Sequence, residues 1–127
     1  MAIVGLGLDL AQIARVEGVI ARRGERFLER IFTPGERAYC DAKKESASSY
    51  AGRFAVKEAV MKVLGTGWAR GVRWIDIEVV RRRGSAPELV LHGAARAIAE
   101  EKKIARIHIT ITHDAGLAAA VAVAESA

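Results

Sequence analysis

The stretch RFAVKEAVMKVLGTG, residues 53–67, gathers residue types that phosphoryl chemistry uses: Glu58, Lys62 one helical turn later, and a glycine turn at 65–67. A second carboxylate, Asp9, sits among apolar residues in IVGLGLDL near the N-terminus. Mg2+ is commonly held by one or two carboxylates, with substrate phosphates and water completing its shell. The pair Asp9 and Glu58 therefore predicts a phosphate-bearing substrate, with Lys62 offsetting charge on a phosphoryl group. Each residue also has a plainer account. Glu58 and Lys62 are spaced as a helix-surface pair contributing about 0.2–0.5 kcal/mol. Asp9 could cap a helix starting near Ala11. The glycines could simply end a helix in the left-handed conformation, or leave amides free to hold a phosphate. In IHITITH, alternation brings His113 out where a strand enters a turn, a position often occupied by a surface histidine.

The elements that must place these residues follow from periodicity. IVGLGLDL alternates as a strand, with Val4, Leu6, Leu8 and Leu10 on one face and Gly5, Gly7 and Asp9 on a nearly bare one. The two glycines let another backbone or a ligand approach closely. AQIARVEGVIARRGERFLERIF reads as a helix and a second short one, broken at Gly24. Thr33, Pro34 and Glu36 form a capping-box start for a helix to about Lys43, and the polar KKESASS at 43–49 reads as a loop. In the helix that follows, Val56, Ala59, Val60, Val63 and Leu64 share one arc, and Arg53, Lys57, Glu58 and Lys62 share the other, at about 100° per residue. Phe54, Met61 and Gly65 lie within the charged arc, so that side is predicted to be covered too. VRWIDIEVVRRRGSAPELVL predicts a hairpin, HGAARAIAEEKK a helix, and IARIHITITHDAGLAAAVAVAES two strands about a tight turn, its alanines also permitting a helix.

At 127 residues, 51% hydrophobic and 28% charged, the chain predicts one ordered α+β domain, 1–127. The lone Cys40 excludes an internal disulfide, and no stretch is long and apolar enough for a membrane helix, so the cytoplasm is the expected compartment. Twenty Lys plus Arg against fifteen Asp plus Glu give a net charge of +5, which favours an anionic partner. A nucleic-acid-binding module fits the charge but lacks a groove-reading motif or a strand-borne aromatic platform, and leaves Asp9 and Glu58 unexplained.

GLGLDL, GRFAVKEAVMKVLGTG and HITITHDAGLAAAVAVAE, in this order, resemble the holo-[acyl-carrier-protein] synthases, small phosphopantetheinyl transferases, over most of the chain. The resemblance implies the α+β phosphopantetheinyl transferase fold and Mg2+-dependent transfer of 4′-phosphopantetheine from coenzyme A to a serine of apo acyl carrier protein, in fatty acid biosynthesis. It implies Asp9 and Glu58 as metal ligands, Glu58 and Lys62 as catalytic groups, and Arg53, Gly65, Thr66 and His113 as coenzyme A contacts. Arg15, Arg22, Arg23 and Arg26 would dock the acidic carrier helix, with Arg30 as a neighbour; a solvated basic face is the alternative. A homotrimer is implied, with sites between subunits. The turn RRRGSAPEL departs from the Gly-Lys-Pro often found there, leaving a basic contact in question.

Overall fold

The computed structural model describes residues 1–127. The elements are β1 (Ile3–Gln12), α1 (Ile13–Arg23), α2 (Glu25–Ile31), α3 (Pro34–Asp41), α4 (Ser46–Leu64), β2 (Ile77–Val80), β3 (Glu88–Leu91), α5 (Gly93–Glu101), β4 (Ile104–Asp114) and β5 (Leu117–Ser126). One antiparallel sheet has the order β1-β5-β4, and β2-β3 is the separate hairpin that the sequence predicts. The capping box is present: the Glu36 amide donates to Thr33 Oγ1 at 3.1 Å, and the Thr33 amide donates to Glu36 Oε1 at 2.9 Å. Gly24, at φ +55°, separates α1 from α2.

The three-stranded sheet inverts the usual meaning of an alternating strand. Gly7, Ala122 and Ile109 form one cross-strand row and Asp9, Ala120 and Ile111 the next, and this small-residue face packs on α4. The leucine face of β1, with Val121 and Val123 of β5 beside it, points outward: Leu6, Leu8 and Leu10 are 67%, 58% and 59% exposed. Small residues face inward because the helix lies almost on the sheet. A Cβ added at Gly7 would stand 1.9 Å from the Ala59 carbonyl oxygen, so the approach that the bare face permits is made by α4 itself. Ala118, Ala120, Ala122 and Ala124 of β5 are buried for the same reason. The C-terminal segment is thus a strand, and its alanines serve close packing. The two ends of the chain meet at one margin of this sheet, where the Ser126 amide donates to the Ala2 carbonyl at 2.8 Å.

The helix α4 begins at Ser46, inside the stretch that reads as a loop, and it is enclosed on most sides by β1, β5, α1, α3 and β2. Its charged arc is therefore enclosed at Arg53 and Lys57, and open to solvent at Lys62. Arg53 is 4% exposed and Lys57 0%. The Lys57 ammonium donates to Glu36 Oε1 at 2.8 Å and to the carbonyls of Trp74 and Ile77, while Glu36 Oε2 accepts from the Val79 amide at 2.8 Å. Because β2 pairs with β3 along one edge only, the Ile77 carbonyl and Val79 amide on its other edge need partners. The ion pair stands where a neighbouring strand would, and it locks β2 to α3 and α4.

Candidate active site

Asp9 lies on the inner face of β1 with Ala120 opposite, so its carboxylate meets α4 where Glu58 and Lys62 occupy successive turns. Lys62 Nζ donates to the Leu8 carbonyl at 2.7 Å and ion-pairs with Asp9 Oδ1 at 3.2 Å. Glu58 has no hydrogen bond or ion pair to the protein. Burial pushes its pKa up, the Asp9 charge adds to that, and Lys62 opposes them only in part. Two carboxylates facing one ammonium leave negative charge that a cation would neutralise. No cluster of three or more His, Cys, Asp or Glu side chains could hold a metal by itself, so an ion here would take its other ligands from substrate and water, as Mg2+ commonly does. Asp9 caps no helix, since β1 continues to Gln12 and α1 lacks a side-chain cap.

A cavity of about 430 Å3 opens over Asp9 and Glu58, walled by Arg15, Val16, Phe27 and Phe54. Beside it, a larger one of about 840 Å3 is lined by Arg22, Arg23, Arg26 and Arg30, with Phe27 and Trp74. These four arginines are exposed and have no acidic partner within the chain. Arg37 and Arg70 are instead held by Glu25 and Glu101 at 2.7 and 2.6 Å. Four unpaired guanidinium groups around an apolar floor suit an acidic, amphipathic partner surface.

Arg53 and His113 lie elsewhere. Five residues along α4 separate Arg53 from Glu58, about 7.5 Å of rise and about 140° of rotation. The Arg53 guanidinium stacks 4.1 Å from the centroid of the Tyr39 ring, and Nη1 donates to Ser49 Oγ at 3.3 Å. Its Nε and Nη2 are buried without a partner. Lys43 Nζ stands 4.7 Å over the same ring. Burial alone would push the Tyr39 phenol up, but Lys43, Arg81 and Arg53 outweigh it and bring the pKa down. His113 Nε2 donates to the Ser48 carbonyl at 3.0 Å, above Gly52, where any Cβ would crowd the ring. A buried guanidinium with unused donors, flanked by two more cations, is suited to an anion.

Gly65 takes the left-handed conformation, φ 73°, and its amide donates to the Met61 carbonyl, so it ends α4 as a helix cap. Thr66 Oγ1 donates to the Gly67 carbonyl at 3.0 Å. Of the residues singled out in the sequence, Asp9, Glu58 and Lys62 converge, with Gly65 and Thr66 one turn beyond. Arg53 and His113 make a second group on another side of α4, toward its N-terminal half. Tyr39, Lys43 and Arg81 join that second group without any signal in their own spacing, since they come from α3, from the turn after it and from the turn after β2.

A family model described as the 4′-phosphopantetheinyl transferase superfamily matches residues 5–122. The chain belongs to this superfamily. A holo-[acyl-carrier-protein] synthase of Anaeromyxobacter dehalogenans is 52% identical over 97% of this chain and 96% of its own. Among solved structures, the holo-[acyl-carrier-protein] synthase from Neisseria meningitidis aligns with a TM-score of 0.89 at 29% identity, over 98% of this chain and 100% of its own. The Helicobacter pylori synthase in complex with coenzyme A aligns at 0.82 with 35% identity, over 94% and 99%. The transferase family read from the three sequence stretches, and the α+β fold that it implies, are thereby borne out.

Proposed function

We propose that this chain transfers 4′-phosphopantetheine from coenzyme A to a serine of an apo acyl carrier protein, in fatty acid biosynthesis. The observation that carries the reading is the unpartnered Glu58 beside Asp9 and Lys62, in a cavity that neighbours the groove of unpaired arginines. The serine oxygen forms a bond to the phosphorus bearing pantetheine, the bond to the leaving phosphate oxygen breaks, and adenosine 3′,5′-bisphosphate departs. Asp9 and Glu58 would hold Mg2+, which when bound offsets the charge of the diphosphate and of the leaving oxygen. Glu58, which has no other partner, accepts the serine proton directly or through water, because its raised pKa makes it a better base than an ordinary carboxylate. Lys62, held by the Leu8 carbonyl, places its positive charge beside the transferring group.

Arg15, Arg22, Arg23 and Arg26 dock the acidic carrier helix, with Arg30 extending the groove. Gly65 and Thr66 contact coenzyme A on the carboxylate side. Arg53 and His113 receive its distal phosphate, and Arg81 in the departing turn supplies the cation that a Gly-Lys-Pro turn would bring. One coenzyme A then needs the first group from one chain and the second from another. The exposed leucine face of the sheet favours such an assembly, and we propose a homotrimer acting in the cytoplasm. No helix is long and apolar enough to cross a membrane.

Mass spectrometry of an apo carrier protein incubated with this protein, coenzyme A and Mg2+ tests the activity. One phosphopantetheine added on serine, absent with EDTA, is expected. No addition with several carriers, despite measured coenzyme A binding, would refute the reading.

A further inference from the structure

Lys57 precedes the catalytic Glu58 and is fully enclosed, with all three ammonium donors in use: Glu36, the Trp74 carbonyl and the Ile77 carbonyl. A core position that needs only volume is filled at lower cost by an apolar side chain, because a buried ion pair must offset the desolvation of both charges. What the ammonium does that a methionine could not do is hold the carbonyls at both ends of one short segment, the 3-10 turn Trp74–Asp76 with the first residue of β2. That turn presents the Trp74 ring. The ring stacks on Phe54 at 5.1 Å between centroids and 17° between planes, and on Trp68 at 3.8 Å and 30°.

The stack also divides the two cavities. Phe54 lines the one holding Asp9 and Glu58, Trp74 lines the arginine groove, and Trp68 and Trp74 together border a third recess with Arg30. We propose that Lys57 is a positioning residue for docking: by gripping the Trp74–Asp76 turn it sets the Phe54–Trp74–Trp68 wall, against which apolar side chains of the acidic partner helix seat while its carboxylates meet the arginines. The inference rests on the transferase reading for the identity of the partner. It makes the ion pair a determinant of carrier recognition through Trp74, at a distance from any bond that is made or broken.

Lys57→Met alone would strand Glu36 as a buried charge, so the test combines it with Glu36→Gln, whose side-chain oxygen still accepts from Val79. The two tryptophans are the only ones in the chain, and their stacked pair gives an exciton couplet in circular dichroism that is independent of turnover. In the folded double variant the couplet is expected to collapse. KM for the carrier should rise about tenfold, the size of one lost aromatic contact, with KM for coenzyme A unchanged. Trp74→Ala, with Lys57 intact, should raise the carrier KM by a similar factor. A folded double variant that keeps both the couplet and the carrier KM overturns the proposal, as does a Trp74→Ala protein with the native carrier KM. So does a double variant in which kcat and both KM values change together, which is what a merely structural loss produces. If the native protein transfers nothing to any carrier, the transferase reading fails, and the couplet still decides whether Lys57 sets the wall.

Discussion

Glu58 carries opposite demands of folding and of chemistry. Its raised pKa means that the fold disfavours its charge: the protonated form adds stability below the ordinary carboxylate value, and that gain is lost as pH rises through the raised value. Glu58→Gln should therefore raise the melting temperature of the metal-free protein at neutral pH, while lowering kcat about 10²–10⁴-fold, as loss of a general base does. Added Mg2+ should stabilise the native protein above the raised pKa and have little effect below it, and differential scanning calorimetry at two pH values reads this. That Asp9, Glu58 and Lys62 would come together was legible in the sequence, from two carboxylates and a lysine in stretches that resemble one family's, with Lys62 one helical turn from Glu58. Lys57 and Arg53 were not. A helical wheel places both with the charged arc; Phe54, Met61 and Gly65 within that arc signalled that it would be covered, but not that α3 and β2 would do the covering.

At the level of elements, backbone proximity does most of the positioning. The helix α4 can present Glu58 to Asp9 because β1 lies against it with no side chain at Gly7. Gly7→Ala would force the strand and the Ala59 turn apart, with a cost of about 1–3 kcal/mol typical of overpacking, and should lower the denaturant midpoint and the transfer rate together. The glycines announced a close approach in the sequence, but not the identity of what approaches. A second tie joins α3 to the hairpin: Thr33 Oγ1 donates to Glu78 at 2.7 Å, and His92 Nε2 lies 2.9 Å from the same carboxylate. Burial would raise the Glu78 pKa, but the bonds from His92 and Thr33 outweigh it and lower the value. The stabilisation is then complete above the ordinary carboxylate pKa and is lost as pH falls through the lowered one. Glu78→Gln should flatten the acid side of the stability-against-pH curve, followed by circular dichroism. The capping box before α3 was legible because its geometry is local. The true start of α4 was not, since the serines at 46, 48 and 49 read as loop and are drawn into the helix by what packs on it.

At the level of the whole molecule, the two groups of site residues on different sides of α4 predict complementation. Glu58→Gln and Arg53→Ala chains should each form an inactive trimer. Mixed after unfolding and refolding together, they should recover activity in roughly a quarter of the sites, the fraction that random assortment pairs correctly across a cyclic interface. A mixture that stays inactive while light scattering shows mixed trimers would show that each chain builds its own site. The outward leucines of β1 were plain in the sequence as one face of a strand, yet alternation alone could not say which face the chain keeps for itself. The meeting of Ala2 with Ser126 bears on how the protein is made. The strand carrying Asp9 is made before every other element of this fold, and its only strand partner, β5, follows all of them. Until β5 emerges, β1 is an apolar segment with an open edge, so the nascent chain must keep this strand from other partners while everything from α1 to β4 is made.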